Sequence, residues 1–300
     1  MNIKPNQKAK KIKKYTLLLK FAVTIVCLWY VLGKIDFQIA KSALKSAEWL
    51  FLLLALISFF VSKIISAFRL SIYFDNIHIS ISLFNNIRLY WLGMFYNLFL
   101  PGSIGGDAYK VILLTKEFNV SYKKTTAAVL LDRISGLLGL GLVLSVFSFF
   151  VLNNVLYKFI NTTSAVIAVI VFYLIIKKYF KDFISSFWLT LFLGVLVQLF
   201  QVVSIYFILA ALHIPVHETG YIFIFLISSI VSVLPLTIGG IGIREVVFLE
   251  GSAYFGLLQE TSIVVSLLFY LITLLTSATG LFYVFNDPLK QKTMDSNLSP

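Results

Sequence analysis

The sequence predicts an all-α polytopic membrane protein of about eight transmembrane units in two inverted-topology halves, each with a broken, re-entrant Pro-Gly-Gly hairpin. Three observations carry this prediction. Hydrophobic residues make up 59% of the 300 and charged ones only 13%, with a mean hydropathy of +0.94. That leaves too few polar side chains to cover a soluble globule. The lysines gather in short clusters between apolar runs rather than spreading over a surface. Finally, LPGSIGGDAYKV, Leu100 to Val111, is echoed by LPLTIGGIGIRE, Leu234 to Glu245, at an offset of 134 residues. Four positions beyond the second glycine of the Gly-Gly pair, each copy carries a cation, Lys110 or Arg244. Proline and glycine are scarce (6 and 16 residues), so a shared Pro-xxx-Gly-Gly indicates internal duplication more strongly than shared leucines would.

Residues 1–14 hold Lys4, Lys8, Lys10, Lys11, Lys13 and Lys14, a basic segment expected in the cytoplasm. The apolar run from Tyr15 to Gly33 is long for a signal-peptide core and is not followed by a small-residue cleavage site, so it reads as an uncleaved first helix. Trp29, Tyr30 and Trp49 mark the far interface, flanking a short loop. A second helix follows from about Glu48 to Leu70, ending near Arg69, and a third apolar run goes from Leu83 to Leu100. From Gly105 to Thr115 the apolar stretch covers only roughly 16 Å as helix, about half a bilayer. The expected shape is a hairpin that enters, unwinds at PGSIGG and returns to its own side. Helix 4 (Thr125 to Leu152), helix 5 (Thr162 to Ile176) and helix 6 (Phe187 to Leu212) cross next. The second hairpin descends from Tyr221 to Leu234 and returns from Ile243 to Phe255, and a last helix runs from about Thr261 to Phe285. Residues 286–300 are polar and are expected to form a disordered cytoplasmic tail.

With the N-terminus inside, the inner segments collect Arg69, Lys116, Lys123, Lys124, Lys177, Lys178, Lys181, Lys290 and Lys292, against Lys34, Lys41, Lys45 and Lys158 outside. Three crossings lie between the hairpins. An odd number inverts the second relative to the first, giving membrane halves of 15–153 and 154–285 within one integral domain of the cytoplasmic membrane, both termini inside.

An unwound segment in hydrocarbon leaves backbone groups unpaired unless it is buried in protein or lines a polar cavity. Pro101, Gly105, Gly106, Pro235, Gly239 and Gly240 therefore point to a central substrate site, and the helices that start beyond them direct free N–H groups at it, favouring an anion. Lys110 and Arg244 add formal charge, with Asp107 and Glu245 beside them; the cations either pair with these acids or face a ligand. Asp132 and Arg133 lie inside helix 4, where ionisable groups mark function. Neighbours on a helix point about 100° apart, so one is expected to reach a hairpin and the other the cytoplasmic headgroups. The single cysteine, Cys27, excludes an intrachain disulfide framework, and three dispersed histidines offer no metal-ligand cluster. No catalytic residue, metal or cofactor is expected. The +12 charge suits anionic inner-leaflet lipid at the lysine clusters rather than nucleic acid.

NLFLPGSIGGDAYKV (Asn97 to Val111), LLDRISGLLGL (Leu130 to Leu140) and LPLTIGGIGIRE together resemble the lysylphosphatidylglycerol synthase transmembrane region family of flippase-like membrane proteins, over most of the chain. The resemblance implies movement of lipid between leaflets. Some family members carry a soluble aminoacyl-transferase domain; this chain stops at residue 300 after a short tail, so synthase activity is not expected of it. The function expected is alternating-access transport of an amphiphile with an anionic or zwitterionic headgroup. The alternatives are a membrane enzyme or enzyme subunit that modifies a lipid-linked headgroup, and a transporter of a small soluble anion. Partners expected are membrane phospholipid or another lipid-linked anion, with a second copy or a separate lipid-synthesising enzyme also open.

Overall fold

The computed structural model describes residues 25–26, 29, 37–99, 105–215, 219–234, 237, 240–286 and 288–289. All regular structure among them is helical, and five helices are long and apolar enough to cross a membrane. The expected first helix lies outside the described residues except for Ile25, Val26 and Trp29, which are helical and exposed. The expected disordered tail also lies outside them, apart from three residues.

A nine-residue helix, α1 (Phe37–Lys45), occupies what the sequence suggested was a loop and packs on the last long helix. Next, α2 (Trp49–Asp75) runs five residues beyond the predicted end. This corrects the place given to Arg69: it lies inside the helix, 4% exposed, and not in an inner loop. Two shorter helices follow, α3 (Leu83–Phe99) and α4 (Gly105–Phe118). At 14 residues, α4 is about 21 Å long and exceeds the half-span expected. Two long helices, α5 (Tyr122–Val151) and α6 (Val155–Tyr179), start at Ser121 and Asn154, whose side chains accept from Lys124 N–H and Leu156 N–H. A 3-10 turn, Lys181–Ser186, leads into α7 (Phe187–Ala211). The second short pair is α8 (Thr219–Val233) and α9 (Ile243–Phe255). Gly256, left-handed at φ 68°, ends α9, with the Leu257 N–H bonded back to the Ser252 carbonyl. α10 (Gln259–Ala278) closes the chain through a 3-10 turn and one more helical turn, Phe282–Phe285.

The spine is the antiparallel pair α2 and α7. Ser204 Oγ donates to the Ala55 carbonyl (2.9 Å), Ser58 Oγ to the Phe200 carbonyl (2.7 Å), Tyr73 Oη to Thr190 Oγ1 (2.9 Å) and Asn76 Nδ2 to Ser186 Oγ (2.5 Å). Small and hydroxyl side chains make such close approach possible where water cannot drive helices together. α5 lies beside α7 at equally short range: a Cβ on Gly139 would come within 2.4 Å of the Gly194 backbone. By contrast α6 buries only Phe172 and Ile176 and turns the rest of its apolar surface outward, as a lipid-facing helix does.

These contacts sort the helix ends into two groups. Asn76, the Thr115–Thr125 hydroxyl pair, and the Lys124–Asp182 ion pair at 2.8 Å gather at one end. At the other end Glu48 N–H donates to the Ala211 carbonyl, and Gly220 faces Leu257. So α3 and α4 fold back to the first end, whereas α8 and α9, joined by Gly251 against Ile224 and the Phe223–Phe255 ring contact, fold back to the second. The hairpins thus enter the bundle from opposite ends. Two apolar cores follow the same division. One packs Leu70, Tyr73, Leu114, Leu131 and Phe187; the other packs Ala55, Phe59, Val143, Ile205, Phe225 and Phe248.

Candidate functional site

Between the two cores, α2, α5 and α7 change character together. On α2 the residues between core positions Phe59 and Leu70 include Lys63, Ser66 and Arg69; on α5, between Leu131 and Val143, they include Arg133 and Gly136; on α7, between Leu191 and Val202, they are Val197, Gln198 and Gln201. All of these line one cavity of about 380 Å³. Asn97 and Leu98, the last turn of α3, reach it from the first hairpin, and Ser232, Val233 and Gly240 reach it from the second. Tyr90 on α3 and Thr273 and Ser277 on α10 complete the wall. Residues flanking both helix breaks therefore line a single polar chamber, the setting in which irregular backbone can persist inside a bilayer.

Among the described residues, three cations line this space and no carboxylate does. Each is held differently. Arg69 Nε bonds Asp132 Oδ1 at 2.7 Å with both side chains buried, while Nη1 has no partner among the described residues. Its guanidinium lies against Gly136 and Gly194, where a Cβ would come within 3.0 and 3.4 Å of Nη1. Arg133 crosses from α5 to pair with Asp107 at the start of α4, and its side chain remains 37% exposed toward the chamber. Lys63 rests its ammonium over the Phe59 ring at 4.5 Å and feels the like charges of Arg69 and Arg244.

The neighbours Asp132 and Arg133 do diverge, but both turn inward, to Arg69 and Asp107; neither reaches the cytoplasmic headgroups. Asp107 also takes Lys110 (3.4 Å) and Asn97 Nδ2 (3.5 Å), while Gly106 N–H donates to Asn97 Oδ1 at 2.8 Å. Lys110, 4% exposed, lies over the Tyr90 ring at 4.5 Å and across Gly93. In the second hairpin Glu245 Oε2 accepts from Gly242 N–H (2.7 Å) and Oε1 from Ser266 Oγ (2.9 Å). The start of each returning helix is thus satisfied by the protein itself, by Asn97 and Asp107 in one hairpin and by Glu245 in the other. Lys110 and Arg244 do not line the chamber; the cations that do are Lys63, Arg69 and Arg133. Arg244 packs against Phe269 at 5.2 Å, and its Nε and Nη1 have no partner among the described residues. Gly105 opens α4, Gly106 sits at the α3–α4 contact, and Gly240 lies at the chamber wall, with φ 81°. Pro101, Pro235 and Gly239 lie outside the described residues.

Lys63, Arg69, Asn97, Gln198 and Gln201 were not singled out from the sequence. A signal existed for the first two: with Ser66 between them they fall within an arc of about 120° of an otherwise apolar helix. His213, by contrast, meets only Glu48 at 3.4 Å on an exposed loop. Asn161-Thr162-Thr163, which has the form of a glycosylation sequon, lies within α6.

The family model of the lysylphosphatidylglycerol synthase TM region matches residues 17–280. A UPF0104 membrane protein of Pyrococcus horikoshii is 31% identical over 125 residues, 41% of this chain and 36% of that protein, so the chain matches little more than a third of that relative's length.

Proposed function

The chain belongs to the lysylphosphatidylglycerol synthase TM region family, and from that premise we propose that it is a transporter carrying lipids with anionic headgroups between the leaflets of the cytoplasmic membrane. The observation that carries this reading is the chamber between the two cores, lined among the described residues by Lys63, Arg69 and Arg133 and by no acid, and reached by residues of both hairpins. A buried guanidinium with a spare N–H suits a phosphate, which offers oxygens to several donors at once while its acyl chains stay in the bilayer. Hairpins entering from opposite ends provide two gates around one site, as alternating access requires. The end bearing Lys116, Lys123, Lys124, Lys177, Lys178 and Lys181 is read as cytoplasmic, in contact with anionic lipid, and both termini are read as lying on that side. The chamber is read as a carrier site and not as a synthase centre. A second copy, or a separate enzyme that makes the lipid, remains a partner to be sought.

The test is exchange of headgroup-labelled phosphatidylglycerol between leaflets of proteoliposomes, followed by bleaching of the outer leaflet. Wild type should exceed protein-free vesicles, and Arg133→Gln and Lys63→Met should each reduce the rate. Equal rates in all four preparations would remove the transport reading.

A further inference from the structure

Arg69 and Arg133 each hold a carboxylate of the protein, Asp132 and Asp107, so these two cations of the chamber wall are compensated whether or not a ligand is present. Lys63 is not. It lines the same cavity, rests its ammonium over the Phe59 ring at 4.5 Å, and has neither an ion pair nor a hydrogen bond among the described residues. The charges it feels are those of Arg69 on its own helix and Arg244 at the start of α9, both positive. The other groups around it are fixed or already bonded. Tyr90 on α3 is a phenol and α7 offers only the amides of Gln198 and Gln201. On α10, Tyr270 is a second phenol, near Arg244 and Glu245. Of the acids, Asp132 on α5 holds Arg69, Asp107 on α4 holds Arg133 and Lys110, and Glu245 accepts from Gly242 N–H and Ser266 Oγ. A guanidinium does not release its proton in a folded protein, whereas an ammonium can. Among the described residues of the wall, Lys63 is therefore the cation whose charge can change.

The two forms of Lys63 suit different occupancies. In the empty chamber an ammonium stands beside two guanidiniums without a counter-ion of its own, and a neutral amine does not. Once a phosphodiester enters, the ammonium gains an anion and the phosphate gains a charged donor. We infer that Lys63 couples headgroup binding to a proton: it takes up one proton as a phosphodiester enters the chamber and returns it as the headgroup leaves. The inference rests on the transport reading and adds the control of that site. The step balances, since the amine nitrogen gains a proton from water or buffer and no other bond is made or broken. A singly charged phosphodiester and one proton together bring no net charge, so the loaded and empty chambers differ little in charge. A pH difference across the membrane then biases the two gates, with loading favoured on the more acidic side and release on the more alkaline one.

Calorimetry counts the proton directly. The purified full chain in detergent is titrated with dihexanoyl phosphatidylglycerol in buffers of different protonation heat, and the dependence of the measured heat on the buffer gives the protons taken up per lipid bound. The probe keeps a single negative charge throughout, so any proton belongs to the protein. Wild type should take up as much as about one proton per lipid, and its Kd should rise with pH by as much as about tenfold per unit. Lys63→Arg carries a fixed charge at the same place and should bind with no uptake and no pH dependence. Lys63→Met should bind more weakly and also without uptake, whereas Arg133→Gln should weaken binding and keep the proton. If Lys63→Met does not fold, Lys63→Arg makes the comparison alone. Absence of uptake in wild type, or uptake retained in Lys63→Arg, overturns the inference. Uptake without leaflet exchange in vesicles would support the inference and sink the transport reading, and exchange without uptake would do the reverse. Dimethyl phosphate, a soluble phosphodiester, is the second probe; the same uptake at the affinity of the lipid would uphold the coupling while making the occupant a soluble ester.

Discussion

Replacing Gly106 by alanine should open the first hairpin. A Cβ at that position would lie 1.9 Å from the Gly93 carbonyl oxygen and 2.6 Å from its carbon, whereas ordinary contact begins near 3.4 Å. The obstacle is backbone on a facing helix, so it cannot be relieved by a rotamer change; α3 and α4 must separate by about 1.5 Å at their closest point. Overpacking of this kind costs about 3 kcal/mol or more once neighbouring contacts are lost. Those neighbours are consequential here, because Lys110 lies across Gly93 and the Asn97–Gly106 bond ties the two helices at the break. Gly141→Ala is the matched control: nothing lies within 4 Å of its Cβ, and alanine in a helix interior gains about 1 kcal/mol over glycine. Thermal unfolding in detergent should give a midpoint roughly 5–10 °C lower for Gly106→Ala and unchanged or higher for Gly141→Ala. Coincident midpoints for the two variants would mean that α3 and α4 do not touch at these glycines.

Asp132→Asn should destabilise by about 3–5 kcal/mol, because Arg69 is then buried without its counter-ion, and Asp132→Leu with Arg69→Leu should recover much of the loss in the same unfolding assay. Single cysteines at Lys178 and Lys158 should be labelled from opposite faces of the membrane, Lys178 from the cytoplasmic one; labelling of both from one side would break the assignment of ends. Gly240→Leu should damage lipid exchange far more than Gly141→Leu at matched expression, since Gly240 has φ 81° and borders the chamber. Gly251, in the returning helix α9, is unsuited as that control because a Cβ there would meet Ile224 at 2.8 Å. Arg244→Met should raise the unfolding midpoint while slowing lipid exchange; a lower midpoint with unchanged exchange would make Arg244 a purely structural residue.

Legibility followed the periodicity and the punctuation of the chain. The returning helix Ile243–Phe255 was found at its observed ends, since Gly242 and Gly256 bracket it and both adopt positive φ. α2 was cut short because Arg69 looked like a boundary cation; its buried partner Asp132 is 63 positions away, a pairing no local pattern contains. The same non-locality hid Asn97, which caps a neighbouring helix across the break, and Gln198, an ordinary polar residue until the Gly136 carbonyl faces it. The repeat pointed to the right region but ranked its cations differently from the fold. Lys110 and Arg244 are equivalent in register, yet only the first copy has an acid at the next position after its Gly-Gly pair, and Asp107 draws both Lys110 and Arg133 to itself.

That asymmetry bears on how the chamber works. Among the described residues, five cations, Lys63, Arg69, Lys110, Arg133 and Arg244, and three acids, Asp107, Asp132 and Glu245, line the chamber or pack in its hairpins and wall helices. Glu245 is spent on Gly242 and Ser266, so Arg244 and Lys63 are the pair left without carboxylate bonds among the described residues. Burying cations without compensation is costly, and evolution removes such a cost unless the group does something in another state. The first hairpin, neutralised by Asp107, resembles a closed gate held by its own salt bridges; the second, with Arg244 unpaired, resembles one that waits for charge. An anion in the chamber would relieve Lys63 and Arg69 directly and Arg244 through the field they share. Its binding energy is then largest where the uncompensated charge is densest, and that differential is what lets a ligand shift a two-state equilibrium. On the proposed transport reading, the excess of two positive charges would couple lipid occupancy to the choice between gates.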